Sequence, residues 1–147
     1  MGESGALIVF DHHFLAVAIS DHNSPESEAL ETLVIHCPNR LIIGDSQGRL
    51  RSIYEELLGR ERFALIAAEL RARVSPENKL VARRRRWPVD DIPHRQVRYW
   101  KLFSAALAVR PTCIVTRIDA WKDHAENFES EYNTRILYAD EFTNSLG

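Results

Sequence analysis

Four short, unbroken apolar runs limit what this chain can fold into: Ala6–Phe10, Leu41–Gly44, Thr112–Thr116 and Arg135–Ala139. Each is continuous rather than alternating, the pattern of a strand covered on both faces. Segments of helical period lie between them. Ser24 followed by Pro25 reads as a cap with a first-turn proline, and Leu30, Leu33, Val34 and Cys37 then share one apolar face. From Ser46 onward, Leu50, Ile53, Tyr54, Leu57 and Leu58 form a stripe that Gly59 closes, and Phe63, Ile66, Ala67 and Leu70 repeat it. Asp91 or Ile92, with Pro93 at the first helical position, opens a long helix. Val97, Trp100, Phe103 and Leu107 lie on one side of it, and Arg95, Arg98 and Lys101 on the other. Strands alternating with helices call for βαβ units. The expected fold is a three-layer α/β/α sandwich around a mainly parallel sheet of four or five strands. The 147 residues suit one domain, with 74–92 as its single long, basic loop.

Composition narrows the function classes. Apolar residues at 45% and charged residues at 27% exclude a disordered chain. No window approaches 18 consecutive apolar residues, so no membrane span is expected. The opening MGESGALIVF has an acid and no base ahead of its apolar run, unlike a secretory signal. Cys37 and Cys113 are too few for a disulfide framework. They are expected to be reduced and buried, in a cytoplasmic protein.

The net charge of −2 hides an uneven distribution. Between Arg71 and Lys101 ten basic residues face three acids, a net +7, which leaves −9 for the rest of the chain. A basic segment in an acidic body suits a polyanion partner such as RNA. Arg83, Arg84, Arg85, Arg86, Arg95, Arg98 and Lys101 are the candidate nucleic-acid contacts. Trp87 has the chemistry to stack on an unpaired base or to anchor the loop. A solvated loop is the plain alternative.

In open parallel sheets ligands bind beyond the carboxyl ends of the strands. Asp11, Asp45, Asp119 and Asp140 follow the four runs. Carboxylates gathered at one sheet edge repel unless a hard cation such as Mg²⁺ or Mn²⁺ sits among them. Asp45 and Asp140 also read as residues that open a helix. Asp11 and Asp119 are the candidate catalytic and metal-holding pair.

These residues resemble the PIN-like nuclease superfamily. LIVFDHHFL resembles its first strand, which ends in aspartate. IHCPNRLIIGDSQGRLRSIYEELL resembles the strand that leads through aspartate and glycine into a helix. LFSAALAVRPTCIVTRIDAW resembles the late helix and the strand ending in Val-Thr with an aspartate nearby, and TRILYADEF resembles the last strand and its closing turn. The order is the family's, over nearly the whole chain. The resemblance implies a divalent-metal ribonuclease, in which acids hold Mg²⁺ or Mn²⁺ to activate water against a phosphodiester. Asp11 matches the first acid and Asp119 the last, one residue later than the commoner spacing. The family's helix glutamate falls on Ile53, and its third acid falls on Arg98 or Tyr99. Glu55, Glu56, Asp90 and Asp91 are the nearest acids, and His12 and His13 stand where a small polar residue is usual.

Two functional classes follow. One is a metal-dependent ribonuclease, or an RNA-binding protein derived from one. The other is a catalytically inactive module that works by protein association, with an antitoxin-like partner or as a homodimer. In support of the second, the chain from Asp119 onward has seven acids against Lys122 and Arg135. Nucleotide cradling has little support, because neither G-x-G-x-x-G nor a P-loop pattern is present.

Overall fold

The computed structural model describes residues 6–35, 39–45, 48–74, 80–83 and 99–146. The strands are β1 (Leu7–Phe10), β2 (Arg40–Asp45), β3 (Leu80–Arg83), β4 (Cys113–Val115) and β5 (Arg135–Leu137). They form one sheet in the order β3-β2-β1-β4-β5, with every pairing parallel. The helices are α1 (His12–Ser20), α2 (Pro25–Ile35), α3 (Arg49–Leu58), α4 (Arg60–Val74), α5 (Tyr99–Ala108), α6 (Asp119–Lys122), α7 (Ala125–Tyr132) and α8 (Ala139–Leu146). Helices flank the sheet, giving a three-layer α/β/α sandwich.

Three of the apolar runs become the inner strands β2, β1 and β4, and the fourth becomes the edge strand β5. Ile8, Val9 and Phe10 are fully buried, and the β4 residues Cys113, Ile114 and Val115 nearly so. Phe10 packs on Phe14 and meets Phe142 edge-on, at centroid separations of 4.4 and 6.0 Å. Phe103 stacks on Trp121 at 3.8 Å. Tyr54 of α3 stacks on Phe63 of α4, and its hydroxyl donates to the Phe10 carbonyl at 2.6 Å. Gly59 ends α3 at φ 95°, a left-handed turn that glycine adopts without steric cost.

Four expectations need correction. The stretch read as one long loop, 74–92, contains β3, an edge strand paired with β2. Its LVAR segment is too short to show a period and runs straight into the arginines. Residues 12–20 form a helix that the periodicity did not suggest, because Asp11, its N-cap, draws notice first as chemistry. Ala139 opens α8 rather than ending β5. The Glu141 carboxylate accepts the Tyr138 N–H at 2.8 Å and so starts the helix there. Asp45 ends β2 and does not open a helix, since α3 begins after Gly48. Asp140 does lie in the first turn of α8. Arg84–Arg86, Asp90, Asp91, Arg95, Arg98 and Cys37 lie outside the described residues. No described helix is long and apolar enough to cross a membrane.

Candidate functional site

The strand order reverses at β1, which pairs with β2 on one side and β4 on the other. The carboxyl ends of β1 and β4 are therefore the switch point, where a crevice is expected in an open parallel sheet. Asp11 stands at this point. Its main-chain N–H continues the ladder by donating to the Val115 carbonyl at 3.0 Å.

The Asp11 side chain is fully buried and engaged at both oxygens. Oδ1 accepts the Phe14 N–H at 2.7 Å, which caps α1. Oδ2 accepts the Thr116 hydroxyl and, at 3.1 Å, the Arg117 N–H. The Thr116 Oγ1 accepts the Ile118 N–H at 2.9 Å, so its own proton is free to point at Asp11. Burial pushes the Asp11 carboxyl above the usual range, against the opposing pull of these hydrogen bonds and of His13. Asp11 thus ties the start of α1 to the end of β4.

Asp119 is exposed, in the first turn of α6, and accepts the Tyr138 hydroxyl at 2.9 Å. Desolvation, followed by the hydrogen bond and charge of Asp119 and the charges of Asp123 and Glu141, pushes the Tyr138 phenol up to about 12. Lys122 pairs with Glu141 at 2.8 Å, donates to the Ile136 carbonyl at 3.2 Å and lies 5.2 Å from the Tyr138 ring centroid. Partial burial opposes ionisation of Glu141, but hydrogen bonds from Lys122 and the Tyr138 amide hold its carboxyl below the ordinary value.

The remaining candidates divide. Glu55 pairs with Arg51 at 3.3 Å and Glu56 with Lys101 at 3.8 Å, so both acids of the α3 helix have basic neighbours of their own. Ile53 is buried in the core at the position where a family glutamate was expected. His12 is buried and His13 exposed, their rings 4.5 Å apart. Arg83 closes β3. A groove of about 600 Å³ lies elsewhere, lined by His22, Ser27, Leu30, Glu31, Val34, Ile35 and Arg73, none of them a predicted site residue.

Sequence reasoning missed two residues that meet beside the switch point, Glu26 and Arg117. Glu26, in the first turn of α2, has only 10% of its side chain exposed, and the Arg117 Nε lies 3.1 Å from its carboxylate. A buried acid in a helix that also opens on Ser24 and Pro25 looks from sequence like ordinary capping. The cue was Arg117 itself, placed between the two residues the resemblance singles out, Thr116 and Asp119.

Among the described residues no three His, Cys, Asp or Glu side chains come together to hold a metal. Mg²⁺ demands near-ideal octahedral oxygen coordination, and the main carboxylate here already accepts three protein hydrogen bonds. The described donor set does not fit a resident divalent ion. No protein-family model, curated protein or solved structure matches the chain.

Proposed function

We propose that this chain is a PIN-like module that binds RNA through its basic segment without cleaving it. One observation carries the reading. Asp11, the acid that the resemblance makes the first metal holder, is buried and hydrogen-bonded at both oxygens as a link between α1 and β4. A nucleolytic carboxylate has to offer lone pairs to an ion. This one offers them to Phe14, Thr116 and Arg117. The net +7 between Arg71 and Lys101 supports a polyanion partner, and arginine's planar fork suits phosphate.

The test is binding of single-stranded RNA followed by fluorescence anisotropy, with cleavage of the same RNA read on a denaturing gel with and without MnCl₂. The expected result is binding that weakens steeply with salt, a slope flattened by replacing Arg83–Arg86 with alanine, and intact RNA throughout. Manganese-dependent cleavage that disappears in Asp11→Asn would overturn the reading and establish the ribonuclease. The exposed Glu126, Glu129 and Glu131 of α7 favour a second reading, association with a basic protein partner. It is chosen over the first if RNA does not bind and a basic partner co-purifies.

A further inference from the structure

We infer that Arg117 is the resident counter-ion of Glu26 beside the switch point, giving that enclosed carboxylate the positive charge that a divalent cation would otherwise supply. The inference rests on the non-hydrolytic reading above and gives it a physical cause. Arg117 follows β4 at the switch point and meets Asp11 through its neutral main-chain amide and Glu26 through its charged guanidinium. Its main-chain N–H donates to Asp11 Oδ2 at 3.1 Å. Its Nε lies 3.1 Å from Glu26 Oε2.

The exposure pattern fits a counter-ion. Glu26 is nearly enclosed, with 10% of its side chain exposed, whereas the Arg117 side chain is 45% exposed. The acid sits inside and the cation reaches in from the rim. An enclosed carboxylate without a partner is costly, so Glu26 needs a cation or a proton. Arginine suits this place because its charge is permanent and its fork is planar. Asp119, two residues further on, is held by Tyr138, and Glu141 by Lys122. Asp11, Glu26, Asp119 and Glu141 therefore each have a protein donor.

The consequence is that Glu26 is neutralised by a protein cation rather than by a metal, and a double-mutant cycle with manganese as a probe tests it. Thermal melting is followed for the wild type, Arg117→Met, Glu26→Gln and the double variant, each with and without about 1 mM MnCl₂. Arg117→Met is expected to lower the melting temperature by about 3–6 °C when Glu26 is present, and by little when position 26 is glutamine. Manganese is expected to leave the wild type unmoved, to raise the melting temperature of Arg117→Met, and to lose that effect in the double variant.

Three outcomes overturn the inference. The loss on Arg117→Met is the same in both backgrounds, manganese stabilises the wild type as much as the variant, or manganese stabilises neither. If Arg117→Met does not fold, Arg117→Lys takes its place, with a smaller loss expected that still depends on Glu26. These readouts are separate from RNA binding and cleavage, so failure here leaves the anisotropy and gel results standing as the test of the proposed function.

Discussion

Thr116 donates its hydroxyl to the Asp11 carboxylate, joining the ends of two neighbouring strands that lie 105 positions apart in the chain. The bond sits where burial pushes the Asp11 carboxyl above its usual value, which gives stability a pH dependence of known sign. With the folded value raised, the native state holds a proton that the unfolded chain has released. Stability then falls as pH rises from the ordinary carboxylate range through the raised value. Asp11→Asn removes this slope. It keeps one acceptor for Phe14 but presents an amide N–H₂ to the Arg117 N–H, a loss of about 1–3 kcal/mol at acidic pH. The gap between wild type and variant should narrow as pH rises from the ordinary carboxylate range through the raised value, because the wild type then acquires a buried charge. Urea unfolding across that range measures it. A gap that widens with pH would contradict the assignment.

Arg73, near the end of α4, closes the C-terminus of α1. Its two terminal nitrogens each donate at 3.2 Å, to the Ala18 and Ile19 carbonyls, and one of them lies 3.1 Å from a ring nitrogen of His22. The last carbonyls of a helix have no partner within it, and a cation there also suits the helix dipole. Arg73→Met should cost about 1–2 kcal/mol in urea unfolding, and Arg73→Lys should recover only part, because an ammonium lacks the fork that reaches two carbonyls. Hydrogen exchange should show the loss concentrated at the Asp21 amide, which donates to the Val17 carbonyl in the same turn.

Tyr54 joins α3 to β1 through a single hydroxyl, donated to Phe10 at 2.6 Å inside the core. Tyr54→Phe keeps the stack on Phe63 and removes only that donor, leaving a buried carbonyl short of a partner. A destabilisation of about 1–2 kcal/mol is expected, with the urea m-value unchanged. An unchanged midpoint would mean that the carbonyl finds water or another donor.

The scaffold was far more legible in the sequence than the site. Ile8–Phe10 and Ile114–Val115 announce strands because residues buried on both faces leave a continuous apolar run. Gly59 announces the end of α3 because its backbone needs φ near 95°. The site was read by position alone, and position cannot tell a carboxylate offered to an ion from one that accepts hydrogen bonds. Asp11 was placed correctly at the strand end, but its three donors come from Phe14 and from residues more than a hundred positions away. Glu26 was hidden for a related reason. Its significance depends on Arg117, 91 positions later, folding back beside it. Long-range pairing of this kind leaves no local pattern.

Cys113 provides a last check on how the sheet is packed. It lies in β4 between β1 and β5, 4% exposed, and burial pushes its thiol up to about 12, only partly offset by the charge of Arg135. The thiolate is the reactive form, so a shift from 9.0 to about 12 leaves about a thousandfold less of it near neutral pH. In a Cys37→Ser background, iodoacetamide should leave the native protein unlabelled over hours at about pH 8 and label it fully in about 6 M guanidinium chloride. The labelling rate at low denaturant should then follow the opening of the central sheet, because the sulfur becomes reachable only when β4 separates from its neighbours. Rapid labelling under native conditions would mean that β4 is not held between β1 and β5 as described.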